Sequence, residues 1–166
     1  MLPCHRAKMK LWLLWLIIPF LLLSCASRIT VIDGDTIHLP DGEAVRYIGI
    51  DTPEIGEPYY EEAKRANQGL IRGKQIKLEK DITDRDKHNR LLRYIYADGT
   101  FVNAELARQG YALVYRRDKF ADNKHYDVLK KAADEAAEGR RGIWSLSPPH
   151  PKIQQRPSDY YLPEYH

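Results

Sequence analysis

The feature that most constrains the fold of this chain is the dipeptide Asp-Gly, set between short runs of apolar and β-branched residues. Asp-Gly in this setting is the strongest short-range signal for a tight β-hairpin. A chain that reverses at several such points forms short antiparallel strands joined by tight turns. The dipeptide occurs three times: at Asp33-Gly34, Asp41-Gly42 and Asp98-Gly99.

Alternating and apolar runs around these turns predict the strands, and 3.6-residue periodicity predicts the helices. The first three strands form a meander. Short strands interrupted by helices favour a small OB-type barrel, because that fold is compact and closes around helices. The predicted strands are Arg28–Ile32, Thr36–Leu39, Glu43–Ile50, Gln75–Glu79, Leu91–Tyr96, Thr100–Val102 and Tyr111–Tyr115, and the predicted helices are Pro58–Ile71, Ala104–Gln109 with Asn103 as its N-cap, and Lys124–Glu138, whose apolar face holds Tyr126, Leu129, Ala132, Ala133 and Ala136.

Residues 1–26 are predicted to be an export signal and are set aside from the fold. Three basic residues precede an unbroken apolar run from Leu11 to Leu23. Those thirteen residues are fewer than the roughly 20 that a helix needs to span a bilayer, which favours a signal over an uncleaved anchor. We therefore expect the protein to be exported, as a periplasmic or envelope lipoprotein or as a secreted protein.

The end of this signal allows two kinds of processing. Leu22-Leu23-Ser24-Cys25 resembles the lipobox of bacterial lipoproteins, in which Cys25 would become the lipidated N-terminus and anchor the protein to a membrane. The alternative is ordinary cleavage after Ala26. Cys4 and Cys25 are the two cysteines of the chain, so neither alternative leaves a disulfide in the mature domain.

The overall charge of the chain gives no indication of a nucleic-acid partner. The predicted signal contains basic and no acidic residues, and without it 23 basic residues face 23 acidic ones. Any site for a polyanion must therefore be local. Residues 27–145 are predicted to form one domain. Residues 146–166 are rich in proline and lack periodicity, which predicts an extended tail, mostly disordered when isolated; the alternative is that its tyrosines dock on the domain or on a partner.

Charged residues that a β-meander does not need follow the first turn and the third strand. Asp35 and Asp51 each lie near a strand end beside a tight turn. Two carboxylates, with backbone carbonyls and water, suit a hard cation such as Ca²⁺, bound weakly at on the order of 10⁻⁴–10⁻³ M. The chain has no closely spaced His or Cys cluster of the kind that zinc requires.

Two arginines lie in positions suited to phosphate. Alternation places Arg46 on one strand face with Ile48 and Ile50, so it is either a rim arginine paired with an acid or part of a pocket shared with the carboxylates of residues 51–54. Arg90 immediately precedes an apolar strand, where it is either part of a solvated charged face or a bidentate phosphate donor at a barrel edge.

These residues add up to a family resemblance. The chain resembles the staphylococcal-nuclease-like, or thermonuclease, family in six segments that keep their order and spacing over about residues 28–145. The segments are VIDGDT at 31–36, VRYIGIDTPE at 45–54, the strand start at Arg90, YIYADG at 94–99, LARQGYA at 106–112 and GIWS at 142–145.

The resemblance implies an α+β fold, mainly β, with a five-stranded OB-type barrel and about three helices. It implies Ca²⁺-dependent cleavage of DNA and RNA. Its implied roles are Ca²⁺ binding by the Asp35 and Asp51 carboxylates and the Thr52 carbonyl, orientation or deprotonation of the attacking water by Glu54, and binding of the scissile phosphate by Arg46 and Arg90. Apart from the resemblance, we expect a monomer that prefers single-stranded or denatured substrates.

The chain departs from the family where a Tyr-Gly pair often precedes the second arginine. It has His88-Asn89 there. Asn tolerates the left-handed backbone conformation, so Asn89 is expected to preserve the turn. His88 and Tyr115 are the candidates for stacking on bases, a contact that tolerates any sequence.

Two classes of function follow from this resemblance. The first is an exported nuclease, and the second is a non-catalytic module of the same fold that binds nucleic acid or protein in the envelope. Because the acidic and arginine set is complete, the sequence favours catalysis. A structural envelope lipoprotein whose tail binds a partner is a third alternative, in which loss of Glu54 would change nothing.

Overall fold

A computed structural model describes residues 28–116, 124–155 and 160–163. The predicted signal, with Cys4 and Cys25, lies outside these residues. The strands are β1 (Thr30–Val31), β2 (Thr36–His38), β3 (Ala44–Tyr47), β4 (Ile50–Asp51), β5 (Ile76–Glu79), β6 (Leu91–Ala97), β7 (Thr100–Phe101), β8 (Leu113–Tyr115) and β9 (Tyr160–Tyr161), and the helices are α1 (Tyr60–Ile71), α2 (Val102–Arg108), α3 (Tyr126–Glu138) and α4 (Pro151–Gln155), with a 3-10 turn at Gly142–Ser145.

The strands form two sheets that confirm the predicted α+β fold with an OB-type barrel. The larger sheet has the order β1-β2-β3-β6-β5, with β7 paired to β6, and the smaller has the order β4-β8-β9. The β1–β2–β3 meander is antiparallel throughout, as predicted. The Asp98-Gly99 hairpin is a two-residue turn, since Ala97 pairs with Thr100. At Asp33-Gly34 the reversal is wider, because Val31 pairs with Ile37.

The parallel pairing of β3 with β6 decides where the charged side chains lie. Val45 pairs with Leu91 and Arg46 with Leu92, so both strands start at the same edge of the sheet. Arg90, the residue before β6, is therefore in register with Ala44, two residues before Arg46. On the other side of β3, Arg46 pairs with Thr36, so Asp35 is in register with Tyr47, one residue after Arg46. Asp35 and Arg90 thus lie on either side of Arg46 along β3.

The core fills the space between the curled sheet and helices α2 and α3. Its fully buried side chains come from the predicted apolar runs, among them Ile37, Val45, Ile50, Ile95, Leu106 and Leu129. The predicted apolar face of the last long helix is confirmed, because Leu129, Ala132, Ala133 and Ala136 are buried and Tyr126 packs against the core. Ile143 and Trp144 are also buried, against Leu113 and the C-terminal end of α3.

The predicted strand Glu43–Ile50 is broken at Gly49. This residue has φ +76°, and a Cβ on it would lie 2.6 Å from Leu129 Cδ1. Glycine tolerates that conformation and leaves space for the close approach of α3. The break matters because it releases β4 from the larger sheet to pair with β8, and β4 ends at Asp51.

The prediction that Asn103 caps helix α2 is wrong. The helix begins at Val102, two residues before the predicted start at Ala104, and Asn103 is completely buried inside it. Its Oδ1 accepts a hydrogen bond from Ile95 N at 2.9 Å, and its Nδ2 donates to Ile48 O at 2.9 Å. Asn103 thus binds helix α2 to strand β6 and to the segment that follows β3.

The C-terminal residues differ most from their prediction as an extended tail. Their described part, which we call the C-terminal segment (residues 146–155 and 160–163), contains α4 and β9. Ile153 is buried with Leu113 and Trp144. Strand β9 pairs with β8, with Tyr160 opposite Tyr115. This segment therefore packs on the barrel as part of the fold.

Among the residues that the structure describes, no helix combines the length and apolarity needed to cross a membrane.

Candidate active site

The first reversal of the chain directs the Asp35 carboxylate into the protein. Ile32 N donates to Thr36 O at 3.0 Å, and Asp35 N donates to Asp33 Oδ1 at 3.0 Å, which closes the turn locally. Asn67 of α1 holds the same turn by donating to Asp33 O at 3.1 Å. Asp35 is consequently buried, although the wide turn around it lies at the edge of the sheet.

Thr52 is the main partner of Asp35. Its backbone N and its Oγ1 both donate to Asp35 Oδ2, at 2.7 and 2.9 Å. The residue before Asp35 is a glycine because Thr52 leaves no room for more: a Cβ on Gly34 would lie 2.7 Å from the Thr52 side chain. The sequence Asp33-Gly34-Asp35 thus forms the turn and also allows the contact between Asp35 and Thr52.

Replacement of Gly34 by alanine should destabilise the protein by about 1–3 kcal/mol, because overpacking forces neighbouring atoms to move. Urea unfolding monitored by tryptophan fluorescence would measure the change. Gly69→Ala is the matched control, since a Cβ at this position in α1 meets no atom within 4 Å. An equal loss of stability in both variants would contradict the contact with Thr52.

Arg46 lies between the two carboxylates. Its Nη2 donates to Asp51 Oδ1 at 2.8 Å, and its Nη1 forms an ion pair with Asp35 Oδ1. All three residues are less than a tenth exposed. Arg46 is thus paired with two acids, as the first sequence-based alternative states, and one of them, Asp51, is among the carboxylates of residues 51–54 that the second alternative names.

The ammonium group of Lys152 contacts two of the three residues predicted to bind Ca²⁺. Lys152 Nζ lies 2.6 Å from Asp51 Oδ2 and donates to Thr52 O at 2.8 Å. Tyr160 donates its hydroxyl to the same Asp51 Oδ2 at 2.6 Å. Both residues belong to the C-terminal segment, so this segment covers the site.

The charge around Asp51 favours its ionised form. Burial alone would raise the pKa of Asp51, but the charges of Arg46 and Lys152, with hydrogen bonds from Lys152 and Tyr160, hold it below its usual value. Burial and the neighbouring Asp51 carboxylate raise the pKa of the Tyr160 hydroxyl, which therefore remains a donor.

Glu54 lies at the edge of this group and is exposed. Its Oε1 is 3.9 Å from Lys152 Nζ, as is Oε2 of Glu57. The backbone N of Glu54 donates to Glu57 Oε2 at 2.7 Å. Glu54 is thus next to the ammonium group of Lys152 and outside the buried pairs that bind Asp35 and Asp51.

Arg90 is oriented by Asp86, a residue that the sequence analysis did not single out. Arg90 Nε and Nη2 approach Asp86 Oδ2 at 2.8 and 2.7 Å, and Arg90 N donates to Asp86 Oδ1 at 3.0 Å. Asn89 has φ +63°, as predicted for a residue that preserves the left-handed turn. The turn therefore holds Arg90 at the start of β6 with its guanidinium fixed.

A cleft of about 380 Å³ joins these groups. Four of the predicted functional residues besides Asp51 lie along it: Arg46, His88, Arg90 and Tyr115. The remaining lining residues are Asp51, Asp86, Lys87, Leu92 and Tyr160. The structure thus brings together both arginines, both carboxylates, Thr52 and the two stacking candidates, with Glu54 outside this cleft beside Lys152.

Within residues 28–116, 124–155 and 160–163, no three or more His, Cys, Asp or Glu side chains form a metal-binding group by themselves. The predicted cation ligands are of another kind, two carboxylates and one backbone carbonyl. Two of these, Asp51 Oδ2 and Thr52 O, converge on one positive charge, that of Lys152. Asp35 is bound by Thr52 and Arg46.

Residues 44–146 match the sequence profile of the family described as staphylococcal nuclease homologue. The chain belongs to this family. One relative is the SPbeta prophage-derived endonuclease YokF of Bacillus subtilis, to which the chain is 38% identical over 125 residues. This alignment covers 69% of the chain and 42% of YokF. The chain is 37% identical over 127 residues to endonuclease YncB of the same organism, covering 70% and 59%.

A third relative is similar over most of its length. The thermonuclease of Staphylococcus intermedius is 34% identical to this nuclease homologue over 125 residues, which cover 69% of the chain and 72% of the relative. The alignments with the two Bacillus proteins cover about half the length of each. The family profile ends at residue 146, so Lys152 and Tyr160 lie beyond the matched region.

Proposed function

We propose that this protein is a Ca²⁺-dependent nuclease that hydrolyses phosphodiester bonds of DNA and RNA with little sequence specificity. The observation that carries the proposal is the convergence of Asp51 Oδ2 and Thr52 O on one positive charge, beside a cleft lined by Arg46 and Arg90. The printed names of its relatives, endonuclease and thermonuclease, support the same reaction.

The ligand chemistry fits a hard cation. Carboxylate and carbonyl oxygens are the ligands that Ca²⁺ takes, and Asp51 and Thr52 already hold a cationic group at 2.6 and 2.8 Å. Asp35 supports them through its bonds to Thr52. Asp35, Asp51 and Thr52 would hold the ion, which when bound stabilises negative charge on phosphate oxygens.

The two arginines provide the remaining electrostatic stabilisation. Phosphodiester hydrolysis builds negative charge on the non-bridging oxygens, and fixed guanidinium groups stabilise that charge without having to reorganise. Arg46 is fixed by Asp35 and Asp51, and Arg90 is fixed by Asp86. Both line the cleft, where a phosphate of the substrate would meet them.

Glu54 is the proposed residue for the attacking water. It is exposed and adjacent to the cation position, so a water molecule can reach both. Glu54 would orient this water or accept its proton as a general base. Tyr115 and His88 would stack on bases next to the scissile phosphate, which favours single-stranded or denatured substrates and tolerates any sequence.

We also propose that the protein acts as an exported monomer. The basic and apolar N-terminal residues support export, and the motif ending at Cys25 supports attachment to a membrane through a lipid. Cleavage after Ala26, giving a free protein, is the alternative. Mass spectrometry of the N-terminus of protein purified from an exporting bacterial host would separate the two.

The Glu54→Gln variant should cleave denatured DNA and RNA at least about 10²-fold more slowly than the wild type, the usual contribution of a positioned general base. The amide keeps the size of the side chain and removes the proton acceptor. Initial rates would be measured in millimolar Ca²⁺ and in excess chelator, and wild-type cleavage should disappear in chelator.

Glu61→Gln is the matched control for this experiment, because Glu61 is exposed on helix α1 and should leave the rate unchanged. A wild type that folds and binds denatured DNA but does not cleave it, with Ca²⁺ or other divalent cations, would overturn the nuclease in favour of the binding module. Equal rates in the wild type and in Glu54→Gln would overturn the role of Glu54.

A further inference from the structure

Lys152 is surrounded as a metal cation would be. Its ammonium contacts Asp51 Oδ2 and Thr52 O, and the carboxylates of Glu54 and Glu57 lie 3.9 Å away. The side chain is 15% exposed, so this charge is largely withdrawn from water. Three carboxylates and one backbone carbonyl oxygen thus surround one nitrogen.

Tyr160 is the third residue that binds the Asp51 carboxylate. Asp51 Oδ1 is bound by Arg46, and Oδ2 accepts from both Lys152 and Tyr160. Thr52 O is bound by Lys152 as well. With the C-terminal segment in this position, the oxygen atoms that the proposed function assigns as cation ligands are already hydrogen-bonded to other residues of the chain.

The same segment is held by contacts that do not involve the cation position. Ile153 is buried in the cluster around Trp144, and β9 adds a strand to β8. Tyr161 donates to Asp134 Oδ1 of α3 at 2.5 Å, and Lys130 Nζ lies 4.7 Å from the centre of the Tyr161 ring. The segment is therefore docked at several points, and Lys152 is held in place by its neighbours.

The segment also occupies part of the proposed nucleic-acid surface. The ring of Tyr160 lies 5.8 Å from that of Tyr115 at an interplanar angle of 35°. Both line the cleft that contains Arg90. A base that stacks on Tyr115 from this side would have to take the place of the Tyr160 ring.

We propose that the C-terminal segment is an intramolecular inhibitor, with Lys152 in place of the metal cation and Tyr160 in place of a nucleotide. This inference rests on the proposed function and adds its regulation. Two cations do not share one set of ligands, so Ca²⁺ binds only molecules in which Lys152 has left. The apparent affinity for Ca²⁺ is then reduced in proportion to the fraction of molecules with the segment released.

Ca²⁺ and nucleic acid displace the same segment and therefore assist each other. Each ligand raises the fraction of molecules that accept the other, and this coupling is reciprocal. The nuclease would stay closed where divalent cations are scarce and open where both cation and substrate are present.

The Lys152→Met variant, which keeps an unbranched side chain one atom shorter and removes its charge, tests this directly. Calorimetric titration with Ca²⁺ should show an affinity about tenfold higher than that of the wild type, if the segment is docked in about nine of ten molecules. Lys131→Met removes one charge from an exposed position of α3 and should bind Ca²⁺ as the wild type does. All proteins are expressed from the full coding sequence.

A second measurement follows the segment itself. Hydrogen exchange of the β9 amides in the wild type should accelerate when Ca²⁺ is added, because Ca²⁺ on Asp51 displaces both Lys152 and Tyr160, and Tyr160 belongs to β9. Tyr160→Phe keeps the ring, removes the bond to Asp51, and should raise the Ca²⁺ affinity less than Lys152→Met does. Unfolding midpoints of the variants show whether each is folded.

The outcomes separate this inference from the proposed function. Equal Ca²⁺ affinity in the wild type and in folded Lys152→Met, with Ca²⁺-dependent cleavage in both, would overturn the inhibitor and leave the nuclease in place. Absence of Ca²⁺ binding from both proteins would overturn the cation site, and the inhibitor with it. If Lys152→Met and Lys131→Met both bind Ca²⁺ more tightly than the wild type, the change in affinity is caused by the lost positive charge in general. This result would also overturn the inhibitor.

Discussion

Replacement of Arg46 by alanine is expected to destabilise the domain by about 3–5 kcal/mol, the cost of removing one partner from a buried ion pair. Arg46 is the charge between Asp35 and Asp51, and its side chain is 10% exposed. Without it, two buried carboxylates face each other with no guanidinium between them. Urea unfolding would measure the loss, and the nuclease assay should detect no cleavage at temperatures where the variant is still folded.

The pH dependence of this loss identifies its electrostatic origin. The pKa of Asp51 is lowered in the folded protein, so its charge stabilises the fold above the unfolded-state value of about 3.9, and this contribution disappears as the pH falls through the lower folded value. Without Arg46 the pKa of Asp51 should rise. The difference in stability between the wild type and Arg46→Ala should therefore shrink in acid, and a constant difference would indicate lost packing instead.

A surface arginine provides the matched control. Arg65 pairs with Glu62 on α1 at 3.0 Å, with 62% of its side chain exposed. Arg65→Ala should change stability by no more than about 0.5 kcal/mol, because exposed ion pairs contribute little. Arg46→Lys keeps the positive charge but lacks the planar guanidinium group, which an ammonium cannot replace where two carboxylates are bound at once. This variant should lose most of the activity but less stability than Arg46→Ala.

The grouping of the charged residues was predictable from the sequence because it depends on local patterns. The Asp-Gly turn fixes Asp35 next to a strand start, and Arg46 and Asp51 lie only five residues apart in the chain. What the sequence left undecided was whether Arg46 was paired or functional. The parallel register of β3 with β6, a contact distant in sequence, is what brings Arg90 to the cleft that Arg46 lines.

The C-terminal segment was not predictable because its contacts carry no periodic signal. Strand β9 has two residues and helix α4 has five, so neither is long enough to show a pattern among the prolines. Lys152 lies 101 positions from Asp51 and Tyr160 lies 109. One lysine and three tyrosines in a proline-rich stretch are ordinary in disordered tails, which is why composition favoured disorder. Asp86 had a weak local signal, an acid four residues before Arg90.

Asn103 shows how a correct local pattern leads to a wrong role. An asparagine at the start of a helical run is a good N-cap by propensity. Here the neighbouring strand β6 and the segment after β3 each present a backbone group toward the helix, and the amide satisfies both of them. Burial of those two groups is a tertiary property that the helix sequence does not contain.

Asn103→Ala should therefore cost about 2–5 kcal/mol, because each buried backbone group left without a partner costs about 1–3 kcal/mol. For a domain of this size the melting temperature should fall by roughly 10 °C, measured by calorimetry or circular dichroism. Asn103→Asp separates the two roles. Aspartate is as good an N-cap as asparagine, but it has no amide to donate to Ile48 O. A helix cap would survive this change, whereas a bridge between α2, β6 and Ile48 should lose at least as much stability as it does in the alanine variant.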